Sequence, residues 1–241
     1  MRRTVRPEIL DALEPSDPRA IRSRRDLQRV HRLMGTCAIL TRSLRQAVRS
    51  PPPRTPLRLL ELGAGDASLA LRLARRFAAC WPSAELTVLD RQSLIAPATG
   101  IAFAHLGWTL RPLIVDALEW ARAPTRQQPT HWNITLANLF LHHFEEGRLR
   151  ELLAAIATRC DIFIACEPRR SLAALLGAQL LPALGASPDT RHDAVVSVQA
   201  GFRSGELSRL WPHAAGHWCL QERPAGLFSH LFVAVRTVPA S

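Results

Sequence analysis

The sequence predicts an α/β protein, with a parallel sheet covered by helices on both faces and closed by an antiparallel pair of strands. Three observations carry this expectation. From Leu57 onward, short apolar strand-like runs alternate with helix-like stretches, the rhythm of a parallel sheet built from crossover units. The last two strand-like runs, His217–Gln221 and Leu227–Val235, are joined by Glu222-Arg223-Pro224-Ala225-Gly226, which suits an antiparallel pair and not a crossover. The chain has 241 residues, 47% hydrophobic and 21% charged, enough to bury a full core and ordinary for a folded domain.

The elements follow in order. Between Asp17 and Arg49, Ile21, Leu27, Val30, Leu33, Met34, Cys37, Leu40, Leu44 and Val48 recur mostly at spacings of three and four. That is one face of a helix or helix pair, with Gly35 as a break. Asp17-Pro18 supplies an N-cap and a first-turn proline. The run Ser50-Pro51-Pro52-Pro53-Arg54-Thr55-Pro56 stops the helix and forms a stiff linker. Strands are expected at Leu57–Leu62, Leu86–Leu89, Trp108–Val115, Trp132–Ala137 and Ile162–Cys166. Helices are expected at Asp66–Ala79, Ala98–Leu106, Gly147–Thr158, Arg170–Leu184 and Leu207–Trp211. Residues 1–56 thus read as a helical extension with a proline-rich linker, and 57–241 as the main domain.

Composition narrows the function. No apolar run approaches the roughly 20 residues that span a bilayer, and Met1-Arg2-Arg3-Thr4 leads into charge and proline rather than an apolar signal region, so the expected location is the cytoplasm. Five cysteines, Cys37, Cys80, Cys160, Cys166 and Cys219, are scattered with no C-x-x-C spacing. They give neither a disulfide framework nor a zinc signature, and no metal is expected. Cys160 and Cys166, around the apolar run Ile162–Cys166, read as core residues. The net charge is +11, and every basic residue is Arg. Residues 1–58 hold 14 Arg against five acids, whereas residues 59–241 hold 17 against 15. An electrostatic footprint for nucleic acid would involve the main domain as well, so this distribution argues against that partner.

The chemistry concentrates at Leu59-Leu60-Glu61-Leu62-Gly63-Ala64-Gly65-Asp66. A strand enters a tight turn with two glycines and then a helix, and glycine lets the backbone approach a ligand closely. A pyrophosphate-binding G-x-G-x-x-G would need glycine where Ser68 stands. Glu61 and Asp66 bracket the loop with negative charge, which opposes a pyrophosphate and favours a cationic ligand. Asp90 closes the second strand, where a carboxylate accepts both hydroxyls of a ribose or caps the next helix. Asp116 ends the third strand, where it hydrogen-bonds an adenine edge or again caps a helix. Three acidic strand ends converge on the crevice where open α/β sheets bind ligands.

The set Glu61-x-Gly63-x-Gly65, Asp90, Asp116 and Leu141-His142-His143-Phe144 resembles the class I S-adenosylmethionine-dependent methyltransferases. Within that family, the chain is similar to the small-molecule enzymes of the ubiquinone/menaquinone-biosynthesis type. The resemblance spans about residues 57–236. It implies a Rossmann-like seven-stranded sheet with the last strand antiparallel, and S-adenosylmethionine as cofactor. It places Glu61, Gly63 and Gly65 at the methionine half, Asp90 at the ribose, and Asp116 with Ala117 at the adenine, and Ala64 and Asp66 of the same loop count as cofactor-binding too. A third loop glycine, common in the family, is replaced by Ala67 or Ser68.

The acceptor is expected to be a small hydrophobic molecule, phenolic or polyketide-like, methylated on oxygen, with carbon as the second choice. Asn138, at the end of the fourth strand, counts among the cofactor-binding residues and, with His142 and His143, faces the acceptor. Either imidazole is a candidate base for a phenol near neutral pH. The base-methylating motif Asp/Asn-Pro-Pro-aromatic is absent, since the chain reads Ala137-Asn138-Leu139-Phe140 there. Cys166 lacks the Pro-Cys pairing of cysteine-dependent RNA enzymes. An RNA methyltransferase and a non-catalytic binding protein remain the alternatives. His192, beside Asp193 in Asp189-Thr190-Arg191-His192-Asp193, is a further candidate base on a substrate-contacting or solvated loop, with Arg191 a substrate contact. The N-terminal helix, with Arg24, Arg25, Arg29 and Arg32, reads three ways. It is a lid whose Arg25 or Arg29 meets an acidic or phenolate acceptor, a solvated basic face, or a weak contact with a membrane surface.

Overall fold

A computed structural model describes residues 1–48, 56–123, 131–213 and 216–237. The elements are α1 (Ile9–Ala12), α2 (Pro18–Leu33), α3 (Thr36–Ala47), β1 (Leu57–Leu62), α4 (Ser68–Phe77), β2 (Ala84–Asp90), α5 (Pro97–Ala104), β3 (Trp108–Ile114), α6 (Ala117–Arg122) and β4 (Trp132–Asn138). After a 3₁₀ turn at Leu141–His143 come α7 (Glu146–Arg159), β5 (Cys160–Pro168), α8 (Leu172–Gln179), a second 3₁₀ turn at Leu181–Leu184, α9 (Pro188–Ala200), α10 (Glu206–Leu210), β6 (Trp218–Ala225) and β7 (Ser229–Arg236).

The seven strands lie in the order β3-β2-β1-β4-β5-β7-β6. The first five are parallel, and β7 runs antiparallel to both β5 and β6. β1 is central, pairing with β2 on one side and β4 on the other. The chain winds outward through β2 and β3, then returns to β4. The resulting switch point lies between β1 and β4, where a crevice opens at the carboxyl ends of the strands.

Alternation along the strands sorts two cores. Leu57 and Leu59 of β1 and Ile164 and Cys166 of β5 join α3, α4, Phe103 and Trp108 on one face. Leu60, Leu62, Phe163 and Ala165 join α6, α7, Trp120 and Trp211 on the other. Burial on both faces explains why these strands read as unbroken apolar runs. Cys37, Leu40 and Leu44 of α3 belong to the first core, so the helical extension packs as part of the sheet's cover. Gly35, with φ of 67°, breaks α2 from α3, and Asp17 caps α2 by accepting from the Arg19 amide at 2.7 Å. Among the described residues, no helix is long and apolar enough to cross a membrane.

The structure corrects three details. The Asp189–Asp193 tract, read as a loop, is the first turn of α9. Its Ser187-Pro188 start is an N-cap and first-turn proline, with the Ser187 hydroxyl accepting from the Thr190 amide. The helix expected across Arg170–Leu184 ends at Gln179, because Pro182 and Gly185 force a 3₁₀ turn. α1 and α6 were too short to show a periodicity. The proline-rich run up to Thr55 lies outside the described residues.

Candidate active site

The loop after β1 needs three left-handed residues in alternation: Gly63 (φ 65°), Gly65 (φ 57°) and Ala67 (φ 58°). A Cβ at Gly63 would collide with the Phe140 ring. Ala67 is therefore where a third glycine would sit, and the alanine there adopts the conformation at a steric cost. Asp66 closes the turn. Its Oδ1 accepts from the Ser68 amide at 3.0 Å, and its Oδ2 accepts from Gln28 Nε2 of α2 at 2.6 Å.

Three acids gather beside this loop. Asp90 accepts from the Gly65 amide on Oδ2 at 2.9 Å and from the Gln92 amide on Oδ1 at 3.0 Å. Glu61, on β1, is 4% exposed. Burial, and then the charges of Asp66 and Asp90, push its carboxyl up to about 8. Its Oε2 is buried without a hydrogen-bond partner, as is Oδ1 of Asn138 on β4. Two unsatisfied acceptors thus sit on the strands that flank the switch point, and an unpartnered buried acceptor is costly. Such a group asks for a donor from outside.

Beyond Asp90, a cavity of about 260 Å³ is lined by Gly65, Asp90, Ile95, Pro97, Leu113 and Ile114, among others. Most of that wall is apolar, and Ile114 is 59% exposed at its rim, a surface suited to a flat nucleobase. Asp116 lies past the end of β3 as the N-cap of α6. Its Oδ1 accepts from the Leu118 and Glu119 amides at 2.8 and 3.3 Å, and Ala117 begins the helix. Neither residue lines the cavity.

Past β4 the chain turns sharply at Leu139 (φ 49°) and places His142 and His143 at the crevice. The turn is organised by Glu167 of β5, which is fully buried. It accepts from the Phe140 and Leu141 amides at 3.0 and 2.9 Å and pairs with His142 Nδ1 at 2.9 Å. On the other side of the ring, His142 Nε2 meets Glu8 Oε1 at 3.2 Å. Burial pushes the imidazole down, but hydrogen bonds and charge from Glu167 and Glu8 outweigh it and hold His142 at about 9. It is an imidazolium donor at neutral pH, not a base. His143 is more open, with 25% of its side chain exposed and Nδ1 3.2 Å from Asp11 Oδ2.

Glu8 and Asp11 belong to an N-terminal strap laid over the crevice. Arg91, next to Asp90, donates to the Asp11 carbonyl at 2.7 Å and to its carboxylate at 3.0 Å. Asp193 of α9 caps α1 by accepting from the Ile9 and Leu10 amides at 2.7 and 3.0 Å. Asp26 of α2, only 3% exposed, accepts from the Ser187 amide at 2.9 Å and the Thr190 hydroxyl at 3.1 Å.

The remaining candidates face outward. Arg25 is exposed, Arg29 pairs with Asp26 at 3.2 Å, and Arg191 reaches Gln179 at 3.2 Å. His192 is half exposed and bonds its neighbour Asp193 at 3.1 Å. Cys160 and Cys166 are buried, and burial pushes both thiols up to about 12, so Cys166 has no thiolate to offer at neutral pH. Sequence reasoning missed Glu8, Asp11, Gln28, Ile95 and Glu167. Glu167 alone carried a signal, as a charge inside an apolar strand.

No protein-family model matches the chain, and no curated protein does. Solved structures do match. The plantazolicin methyltransferase BpumL in complex with SAH is 13% identical over 92% of each chain, with a TM-score of 0.62. Magnesium protoporphyrin IX methyltransferase (ChlM) from Synechocystis PCC 6803 with bound SAH is 15% identical, over 85% of this chain and 83% of that one, with a TM-score of 0.53. The CMeT domain of the citrinin polyketide synthase is 17% identical, over 79% of this chain and 49% of that one, at 0.54. The fold is that of a Rossmann-like methyltransferase. The crevice between β1 and β4, with its acids, lies where that fold's sheet switches direction.

Proposed function

We propose that this chain is an S-adenosylmethionine-dependent methyltransferase acting on oxygen of a small hydrophobic acceptor, phenolic or polyketide-like. The observation that carries the cofactor is the unpartnered Glu61 Oε2, buried beside Asp66 and Asp90 with Asn138 Oδ1 on the neighbouring strand. A cationic ligand with N–H donors satisfies both orphaned acceptors and relieves the repulsion among the acids. A pyrophosphate would worsen it.

Glu61, Gly63, Ala64, Gly65, Asp66 and Asn138 would hold the methionine half, and Asp90 the ribose. The apolar cavity at Ile95, Leu113 and Ile114 would take the adenine, and Asp116 with Ala117, at the start of α6 and outside that lining, would meet its edge. S-adenosylmethionine supplies an electrophilic methyl group on sulfur. The protein's own work is to align the acceptor oxygen, exclude water and take a proton. His143 is the base, because His142 already has both ring nitrogens engaged and serves to position the turn. The strap and α2, residues 1–33 of the 1–56 extension, would be the lid that closes over the acceptor.

The small hydrophobic acceptor is supported by the neighbours of this fold, whose names specify plantazolicin, magnesium protoporphyrin IX and a citrinin polyketide synthase. The test is transfer of labelled methyl from S-adenosylmethionine to a panel of hydrophobic phenols, with bulk RNA in parallel. Label in a phenol that is lost in His143→Ala supports the reading, and label in RNA alone overturns it.

A further inference from the structure

The strap brings a third ligand to the histidine pair. One oxygen of Glu8 and one ring nitrogen each of His142 and His143 lie within 4.8 Å of one another. We propose that Glu8, His142 and His143 form a divalent transition-metal site, whose open coordination positions take an anionic oxygen of the acceptor. This assignment of the acceptor's anchor rests on the methyltransferase reading. The metal site itself does not.

Three features point to a metal. The donor set is two imidazoles and a carboxylate, which suits zinc and its neighbours in the first transition row; magnesium and calcium prefer all-oxygen sites. Glu8 Oε1 and His142 Nε2 are 3.2 Å apart. A charge-assisted hydrogen bond is shorter, about 2.7–2.9 Å. Two ligands at about 2.0–2.1 Å from a tetrahedral ion are separated by about 3.3 Å, so the Glu8–His142 pair has the spacing of two ligands, and His143 would close on the ion by a side-chain adjustment. Finally, the other nitrogen of His142 is held by the fully buried Glu167 at 2.9 Å. A carboxylate behind a ligating imidazole fixes its orientation and strengthens it as a donor.

The ligands are also set rigidly. Glu8 is anchored by the Ser197 hydroxyl of α9, and α1 is capped by Asp193. His142 and His143 share one 3₁₀ turn, with ring centroids 4.3 Å apart. Three protein ligands leave a position open, as in catalytic rather than structural metal sites. With the ion bound, His142 would release its Nε2 proton and His143 would serve as a ligand in place of acting as the base. An acceptor hydroxyl coordinated there would release its proton to solvent at the mouth of the crevice.

The experiment uses the full chain, stripped with a chelator and titrated with Zn²⁺ against a chromophoric competitor at pH 7.5. Binding of one equivalent with Kd below about 1 µM is expected, weakened at least tenfold in Glu8→Gln and in His143→Ala. His217→Ala, at an exposed histidine outside the site, should leave it unchanged. Thermal melts of the stripped variants report whether each folds. Co²⁺ loading of the unmutated chain gives a second readout, visible bands of a four- or five-coordinate ion. Weak or substoichiometric Zn²⁺ binding, binding that Glu8→Gln and His143→Ala leave intact, or a Co²⁺ spectrum of the aqueous ion would each overturn the site. Calorimetry with S-adenosylmethionine on the same samples separates the two claims. Metal without cofactor binding contradicts the enzyme reading alone, and cofactor without metal binding contradicts this inference alone.

Discussion

Gln28 donates its side-chain amide to Asp66 Oδ2 at 2.6 Å, tying α2 of the N-terminal extension to the loop that follows β1. A helix outside the sheet therefore helps to set the loop proposed to hold the cofactor. Hydrogen bonds to a charged group contribute about 1.5–3 kcal/mol, part of which pre-organises the loop. Gln28→Ala is expected to weaken S-adenosylmethionine binding about tenfold, read by calorimetry, with little change in global stability. Unchanged affinity would separate α2 from the site.

Glu61 should make the empty site pH-sensitive. Its carboxyl is raised from 4.5 to about 8, so between those values the folded chain holds a proton that the unfolded chain has released. Stability of the ligand-free protein therefore falls as pH rises from 5 to 8, by a few kcal/mol at about 1.4 kcal/mol per unit. Glu61→Gln should remove most of that slope and leave the ligand-free protein more stable than the unmutated chain at pH 8. Chemical denaturation across that range, comparing the two proteins, decides it.

α3 is expected to be indispensable to the fold. Leu40 and Leu44 are each 1% exposed and pack in the same core as Leu59 and Ile164. Leu40→Ala should cost about 2–5 kcal/mol in urea unfolding. Deleting residues 1–16 should leave a cooperative transition, whereas deletion through residue 48 should abolish it.

Glu167 holds the turn after β4 by accepting from the Phe140 and Leu141 amides and pairing with the His142 ring. Replacing it with Ala strands two backbone amides and a buried imidazolium, and breaking a buried pair of this sort costs about 3–5 kcal/mol. Glu167→Gln retains the volume but returns only part of the bonding. A smaller loss is expected for Gln than for Ala, measured as a lower Tm in each.

Much of this architecture is legible in the sequence because it is written locally. β1 is Leu57–Leu62 in both readings, and the antiparallel β6–β7 pair follows from a connection too short to cross over. Glu61, Gly63, Gly65 and Asp66 lie within six consecutive residues, and Asp90 marks a strand end. What was not legible is set by distance along the chain. Glu8 meets His142 across 134 positions, and Gln28 meets Asp66 across 38. Nothing near either residue announces a partner. α9 was hidden by a different cause: it is buried at Thr190, Asp193, Val196 and Val198 rather than on one apolar stripe, so its periodicity is weak.

The unpartnered Glu61 carboxyl beside Asp66 and Asp90 is proposed to take a cationic nucleoside. Calorimetric titration with S-adenosylmethionine, on the unmutated chain and on Glu61→Gln at pH 6.5 and 8, tests it most directly. Saturable 1:1 binding that tightens toward pH 8, as Glu61 gives up its proton, is expected. In Glu61→Gln, affinity should fall by about a hundredfold, since a hydrogen-bonded buried charge is worth about 2–3 kcal/mol. No binding by the unmutated chain, or equal affinity in Glu61→Gln, would contradict it.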